Sequence, residues 1–367
     1  MSACAGWSEA ALRCTRLRLF LSSVGSEPAL AAELLRAGAA PRDLAPGVVG
    51  IDGDDLLLDP VFARQALPEA HLVAGGSISA LAEGIFAAVE ASLDRWPGPF
   101  AVHALAHAEP PPGLGSRAAL VAREALALVG ARRRRAARRQ RPPEEAAEAF
   151  DEGWLLVQIL ALSRDRFAVS AAPPRPLAMG GLDLAPWPGG DAPVTIDRAP
   201  PSRAYQKLEE AFAWMGAAPR PGETCVDLGA APGGWTATAL KRGARVVAVD
   251  RAPLAAPLPR HPNVASVIGN AFTYQPPAPV DWLLGDVVCE PPRSLALCDA
   301  WLSHGLCRNL VVTVKFKGRA GYGVLAELPA LFERVRPAFA RVKQLAHNKN
   351  EVTVMVRKAA AETAAAK

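Results

Sequence analysis

The chain has 367 residues, of which 50% are hydrophobic and 21% charged, with a net charge of +5 and a pI near 9.0. That length predicts two or three domains, the apolar content is ample for buried cores, and the mild positive charge leans toward a nucleic-acid partner. No apolar span of membrane length occurs, and Arg13, Arg16 and Arg18 interrupt the N-terminal region, so neither a membrane helix nor a secretory signal is expected. The six cysteines (Cys4, Cys14, Cys225, Cys289, Cys298, Cys307) form no C-x-x-C pair and have no matching histidine spacing. A zinc site and a disulfide framework are thereby set aside, and a reduced, cytoplasmic, monomeric chain is expected.

Residues 1–73 read as a small α+β subdomain, with strands at Leu17 to Leu21 and Asp55 to Leu58 and an alanine-rich helix from Pro28 to Ala37. A second unit spans residues 74–172, with helices at Ile78 to Leu93 and Arg117 to Gly130 and strands at Phe100 to Leu105 and Trp154 to Ala161. Inside it, seven of the ten residues from Arg132 to Arg141 are arginine. Arg132, Arg133, Arg134, Arg135, Arg138 and Arg139 are therefore candidates for RNA phosphate, a contact that gives salt-dependent affinity without reading sequence. The plainer alternative is a solvated helix end. His103 and His107 have helical spacing but sit on a strand pattern, so no metal site is expected there. A Pro- and Gly-rich linker covers 173–200, an α/β domain 201–358, and a low-complexity tail, disordered or fraying, 359–367.

The α/β domain carries the most informative segment, DLGAAPGGW at 227–235. An apolar strand (Cys225, Val226, Leu228) stops at Gly229, and a helical pattern resumes at Trp235. The turn thus lies at the carboxyl edge of a buried parallel strand, where open α/β sheets bind nucleotides. Glycine at 229, 233 and 234 lets the backbone lie against a flat ligand. Asp250 ends the next strand, Arg245 to Val249, at a distance suited to the two hydroxyls of a ribose. Dehydrogenases and methyltransferases both place an acid there, so Asp250 supports an adenosine ligand without choosing between them. The Ala231-Pro232 turn lacks the glycine spacing and the cations of a pyrophosphate site, which disfavours a nicotinamide oxidoreductase.

Four residues further along point to the chemistry. Asp286 closes a strand at Val280 to Gly285, Lys315 sits in a strand at Leu310 to Phe316, and Glu351 opens one at Glu351 to Val356. Lys207 lies on a helix at Tyr205 to Met215. A doubly wound sheet brings these strand ends to one edge beside the glycine loop. Two amines and two carboxylates in one cleft shift each other's pKa values, and the expected direction for the lysines is downward, through like charge and desolvation. A lysine so tuned can approach the proton of a ribose hydroxyl. Only eight of the 41 basic residues are lysine and none precedes Lys207. Arginine cannot lose its proton near neutral pH, so Lys207 and Lys315 mark positions where it would fail, unless they are ordinary surface lysines.

The segment Arg203 to Phe212, the DLGAAPGGW loop, the strand ending at Asp286, the VTVKFKG stretch and the NEVTVMVRK ending resemble the FtsJ-type ribose 2'-O-methyltransferases and, within them, the RlmM group. The resemblance covers roughly 198–358. It implies a Rossmann-like S-adenosylmethionine-dependent methyltransferase sheet preceded by an α+β THUMP-type RNA-binding region. The implied substrate is a cytidine ribose of bacterial 23S ribosomal RNA, free or in a large-subunit assembly intermediate. It implies a catalytic tetrad on Lys207, Asp286, Lys315 and Glu351, with Lys315 the base and Lys207 helping to lower its pKa. Cofactor contacts would come from Ala204, Gly229, Ala231, Pro232, Gly233, Gly234, Trp235, Asp250, Asn270 and Asp286, with Phe272 near the adenine. The chain departs from the family pattern at Ala204, Ala231 and Asn270, although the Asn270 side-chain oxygen can still accept from an adenine amino group. Lys317, expected on the same strand face as Lys315, is either a rival base or a phosphate contact. A fold retained only to bind RNA would keep the core without needing Lys315.

Overall fold

The computed structural model describes residues 17–53, 58–318 and 321–358. Cys4, Cys14, Arg13, Arg16, the 359–367 tail and the expected strand at Asp55 to Leu58 lie outside them, except Leu58, which is not in a strand. The described chain forms two units. One runs to Leu177 and takes in Leu182–Asp191; the other holds Ala178–Gly181 and the residues from Ala192 onward.

The first unit contains β1 (Leu17–Leu21), α1 (Glu27–Arg36), β2 (Arg42–Ala45), β3 (Val48–Asp52), β4 (Gln65–Ala74), α2 (Ile78–Arg95) and β5 (Phe100–Ala106). It continues with α3 (Leu114–Arg132), α4 (Arg134–Ala137), α5 (Pro143–Ala149), β6 (Leu155–Ala161) and β7 (Arg166–Ala172). Ser77 starts α2 by accepting the Ala80 N–H on its side chain at 3.1 Å, which satisfies one of the helix's free donors. The apolar faces of α2 and α3 bury Leu81, Ile85, Phe86, Val121 and Val129 against Phe100, Val157, Ile159 and Phe167.

All seven strands make one sheet, β2-β3-β1-β4-β7-β6-β5, and this corrects the expected boundary at 73/74. Strand β4 has ten residues, long enough to serve two neighbours. Its first half pairs with β1 (Leu67 opposite Leu19) and its second half with β7 (Val73 opposite Phe167). The linker expected at 173–200 also differs from a free tether. Asp183 is buried, and a buried carboxylate needs partners. It receives Arg18 Nη2 at 3.1 Å and Arg175 N at 2.7 Å, while Gln65 Nε2 donates to the Ala185 carbonyl at 2.8 Å. Composition marked the stretch as irregular but not as packed.

The second unit contains α6 (Tyr205–Met215), β8 (Thr224–Leu228), α7 (Gly234–Lys241), β9 (Arg245–Asp250), β10 (Val264–Ile268) and β11 (Val280–Gly285). It continues with α8 (Pro291–Ser303), β12 (Cys307–Lys315), α9 (Leu328–Val335), β13 (Phe339–Lys343) and β14 (Glu351–Arg357). The sheet order is β10-β9-β8-β11-β12-β14-β13, parallel from β10 to β12 and antiparallel where β14 meets its two neighbours. The chain leaves β8 toward β9 and later returns to the other side of β8 as β11. That reversal opens a crevice at the carboxyl ends of β8 and β11. Because β14 runs backward, its first residue, Glu351, pairs with the last residue of β12, Lys315. A strand start and several strand ends therefore meet at one edge. No described helix is long and apolar enough to cross a membrane.

Candidate active site

The loop after β8 is bent by glycines. Gly229 has φ +77°, and a Cβ there would stand 3.0 Å from a Val287 methyl and 3.1 Å from the Val287 Cα. Gly233 has φ +116°, and a Cβ would collide with Leu258. Both positions therefore need glycine. Asp250 fixes the loop from the next strand: its Oδ2 accepts the Ala231 N–H at 3.0 Å and its Oδ1 the Ala252 N–H at 2.9 Å. Each oxygen keeps acceptor capacity for a ligand hydroxyl.

Gly229, Ala231, Asp250, Asn270 and Asp286 line one cavity of ≈ 350 Å³, together with Phe272, Val288 and Arg293. That volume falls in the usual range of about 300–1,000 Å³ for small-ligand sites. Asn270 Oδ1 already accepts the Phe272 N–H at 3.1 Å, which leaves one lone pair and the amide nitrogen for a ligand. Arg293 was not legible in the sequence; its guanidinium lies 4.0 Å over the Phe272 ring. A second cavity, ≈ 460 Å³, shares Phe272 and Arg293 but contains none of the four tetrad residues.

The other predicted cofactor residues do not line this cavity and instead shape the loop from behind. The Ala204 carbonyl accepts the buried Trp235 indole N–H at 2.8 Å, tying α7 to the start of α6. The Pro232 carbonyl accepts Ala255 N at 2.9 Å. Gly233 faces Leu254 and Leu258, and Gly234 approaches Ser202. The acid that opens the motif, Asp227, is buried under the loop. Its Oδ2 accepts the Thr236 hydroxyl at 2.6 Å, and burial pushes its pKa up to about 7.

Lys207, Asp286, Lys315 and Glu351 meet at the cavity's edge. Lys207 Nζ lies 3.1 and 2.9 Å from the two Asp286 oxygens and 3.0 Å from Glu351 Oε1. Lys315 Nζ lies 2.9 Å from Asp286 Oδ1 and 3.1 Å from the Asp286 carbonyl. Thr313, buried two residues before Lys315 on the same strand face, donates to Asp286 Oδ1 at 2.6 Å. The alternation of β12 was the signal that could have found it.

An ammonium has three donors. Lys207 uses all of them on carboxylates, whereas Lys315 makes two contacts and keeps one position open. The expected downward shift for the lysines is reversed at Lys207. Burial pulls its pKa down, but Asp286 and Glu351 together outweigh burial, and the pKa is raised. Burial likewise pushes the Asp286 carboxyl up, yet Lys207, Lys315 and Thr313 hold it below its ordinary value. The four groups are a charge-balanced cluster in which Lys207 is locked as a cation.

Lys317 is corrected as a same-face neighbour of Lys315. Strand β12 ends at Lys315, and Lys317, whose side chain is 89% exposed, pairs with Glu290 at 2.7 Å instead of with Asp286. The arginine run in the first unit divides in two. Arg132 chelates Glu83 at 2.6 and 2.7 Å, Arg133 pairs with Glu90 and Asp94 at 2.7 and 3.0 Å, and Arg139 donates to the Leu93 carbonyl at 2.6 Å. Arg134, Arg135 and Arg138 are exposed and have no ion-pair partner among the described residues.

Residues 200–349, within the second unit, match the family model described as FtsJ-like methyltransferase. The chain is 40% identical over 190 residues to the ribosomal RNA large subunit methyltransferase M of Pseudomonas syringae pv. syringae, covering 47% of this chain and 52% of that protein. It is 41% identical over 190 residues to the protein of the same name from Pseudomonas fluorescens, covering 47% and 52%. A third, from Pseudomonas putida strain GB-1, is 38% identical over 215 residues, covering 53% and 59%. The chain spans about half the length of the curated relatives it matches.

Proposed function

We propose that this chain is an S-adenosylmethionine-dependent RNA methyltransferase that acts on a ribose 2'-hydroxyl of large-subunit ribosomal RNA. The observation that supports this most is the Asp286 carboxylate, which binds both Lys207 and Lys315 at the edge of the cavity beneath the Gly229 loop. The substrate follows the names of the similar proteins, and a cytidine of 23S RNA follows the sequence resemblance.

The residues fit the cofactor. Asp250 offers two carboxylate oxygens for ribose hydroxyls, Asn270 and Phe272 flank the place for an adenine, and Gly229 and Val287 line the same cavity. When bound, S-adenosylmethionine supplies a methyl group on a positively charged sulfur. The Asp286 carboxylate, kept ionised by its lysines, suits that charge.

The protein's own part is to hold and activate the ribose oxygen. Lys315 directs its open position at the 2'-hydroxyl and polarises or accepts the proton there. Asp286 anchors Lys315 through its carboxylate and its carbonyl. Lys207, a saturated cation, fixes Asp286 against Glu351 and takes no proton. Positioned general bases contribute roughly 10²–10⁴-fold. Arg134, Arg135 and Arg138 of the first unit supply phosphate contacts on the same substrate.

The test is transfer of a tritiated methyl from S-adenosylmethionine to large-subunit RNA from cells lacking the native enzyme, followed by mass mapping of the modified nucleotide. Wild-type protein incorporates one methyl at one ribose. Lys315→Ala loses incorporation while cofactor affinity stays close to wild type. Retained incorporation refutes Lys315 as the base, and methyl on a base instead of a ribose refutes the reaction.

A further inference from the structure

We infer that Glu210, which touches neither the cavity nor the four-residue cluster, is a positioning residue that sets the Glu351 carboxylate through the turn at 344–350. The inference rests on the reading of Lys207, Asp286, Lys315 and Glu351 as the reaction centre.

Glu210 is three residues after Lys207 on α6, so both side chains leave the same inner face of the helix. It is fully buried. A buried carboxylate is stable only when its lone pairs are filled. Glu210 Oε1 accepts the Ala346 N–H at 2.8 Å, and Oε2 accepts the His347 N–H at 3.0 Å and lies 2.8 Å from His347 Nδ1. Every one of these partners lies in the connection between β13 and β14, none in the sheet itself. The helix that supplies Lys207 therefore grips the turn that delivers Glu351.

The turn carries the constraint onward. Asn348, buried, accepts Leu345 N at 2.8 Å and the Thr353 hydroxyl at 3.1 Å on its Oδ1, and its Nδ2 donates to Glu351 Oε1 at 3.4 Å. Gln344 Nε2 closes the turn on the Lys349 carbonyl at 3.0 Å. Glu351 Oε1 is thus held from two directions, by Lys207 Nζ at 3.0 Å and by Asn348 Nδ2. Lys207 and the turn both depend on α6, so one helix fixes the spacing between the bridging ammonium and its second carboxylate. Loss of the Glu210 contacts frees the turn, shifts Glu351, and leaves Lys207 to pull on Asp286 alone.

Glu210→Gln preserves shape but has one acceptor oxygen instead of two, so it cannot serve both backbone N–H groups as before. In the full chain, kcat for methyl transfer should fall about 10- to 100-fold, the scale of a misplacement of order 1 Å. Affinity for S-adenosylhomocysteine should stay at the wild-type value, and kcat is counted per site that binds it, which removes any unfolded fraction. Adding Glu210→Gln to Glu351→Gln should cost nothing more, because the two act through one carboxylate. An unchanged kcat per binding site in Glu210→Gln, or full multiplication of the two losses, overturns the inference. Should Glu210→Gln fail to fold, Asn348→Ala takes the same measurements with the same expected outcome. Full turnover in Glu351→Gln alone instead overturns the four-residue reading beneath it.

Discussion

Asp286→Asn tests the cluster as a unit. The carboxylate receives Lys207 at 2.9 and 3.1 Å, Lys315 at 2.9 Å and Thr313 at 2.6 Å, with its side chain only 14% exposed. Breaking a buried ion pair by removing one partner costs about 3–5 kcal/mol. Here the lysines are not fully orphaned. Lys207 keeps Glu351 at 3.0 Å, Lys315 keeps the residue-286 carbonyl at 3.1 Å, and the new amide oxygen can still accept one donor. The lower end, about 3 kcal/mol, is therefore expected, which for a unit of this size corresponds to a fall in Tm of roughly 6–12 °C.

The assay is thermal unfolding at pH 7 with methyl transfer measured on the same preparation. The pH window separates this cause from others. Asp286 has a depressed pKa, so its contribution is present above its unfolded value and lost as pH falls through the folded one. Lys207 has a raised pKa, so its contribution is present below its unfolded value and lost as pH rises through the folded one. Because the Asp286 charge is one cause of the raised Asp227 pKa, the wild-type minus Asp286→Asn difference should change between about pH 4 and 7 and be flat above that, up to about pH 9. A Tm within about 2 °C of wild type, less than 1 kcal/mol on that scale, together with wild-type turnover would refute the cluster as both a stabilising and a catalytic element.

Two further outcomes are expected. Replacing Arg134, Arg135 and Arg138 with Gln should weaken RNA binding and reduce the slope of log K against log salt by about 2, at roughly 0.7 per phosphate contact. Replacing Arg132 and Arg133 should mainly lower the stability of the first unit, since their guanidinium groups serve Glu83, Glu90 and Asp94; equal slope changes from both sets would refute the division. Asp227, with its pKa raised from 3.8 to about 7, stays protonated in the folded state where the unfolded chain has already ionised. Wild-type stability should thus fall as pH rises from about 4 to 7, by about 4 kcal/mol on the scale of 1.36 kcal/mol per unit. Asp227→Asn should remove that part of the slope, and an identical Tm-against-pH curve for the two proteins would refute the assignment.

The meeting of Lys207, Asp286, Lys315 and Glu351 was legible because each sits at a strand end or a helix start whose apolar run is unambiguous. Sheet order then does the rest, bringing Asp286, Lys315 and Glu351 together once β14 is reversed. What depends on distance was not legible. The sign of the Lys207 shift turns on two carboxylates at 2.9 to 3.1 Å outweighing burial, and a sequence holds the charges but not their separation. The arginine run looked uniform, yet α2 places Glu83, Glu90 and Asp94 against one part of it and leaves the rest in solvent. In the first unit, β4 was not among the strands expected from the sequence, and its ten residues cross the expected boundary at 73/74 to join β1 to β7.

Lysine is scarce in this chain, and donor geometry explains why positions 207 and 315 each take an ammonium. At Lys207 three acceptor oxygens converge within 3.1 Å of one point, which suits three donors on a single nitrogen better than the planar fork of a guanidinium. At Lys315 the requirement is different. Two acceptors hold the nitrogen from the protein side, and in the proposed reaction the remaining position gives up or takes a proton, which arginine cannot do near neutral pH. The same residue type thus takes two unlike forms on either side of Asp286: one lysine is fixed by saturation, and the other keeps a position open, which is what the proposed reaction uses.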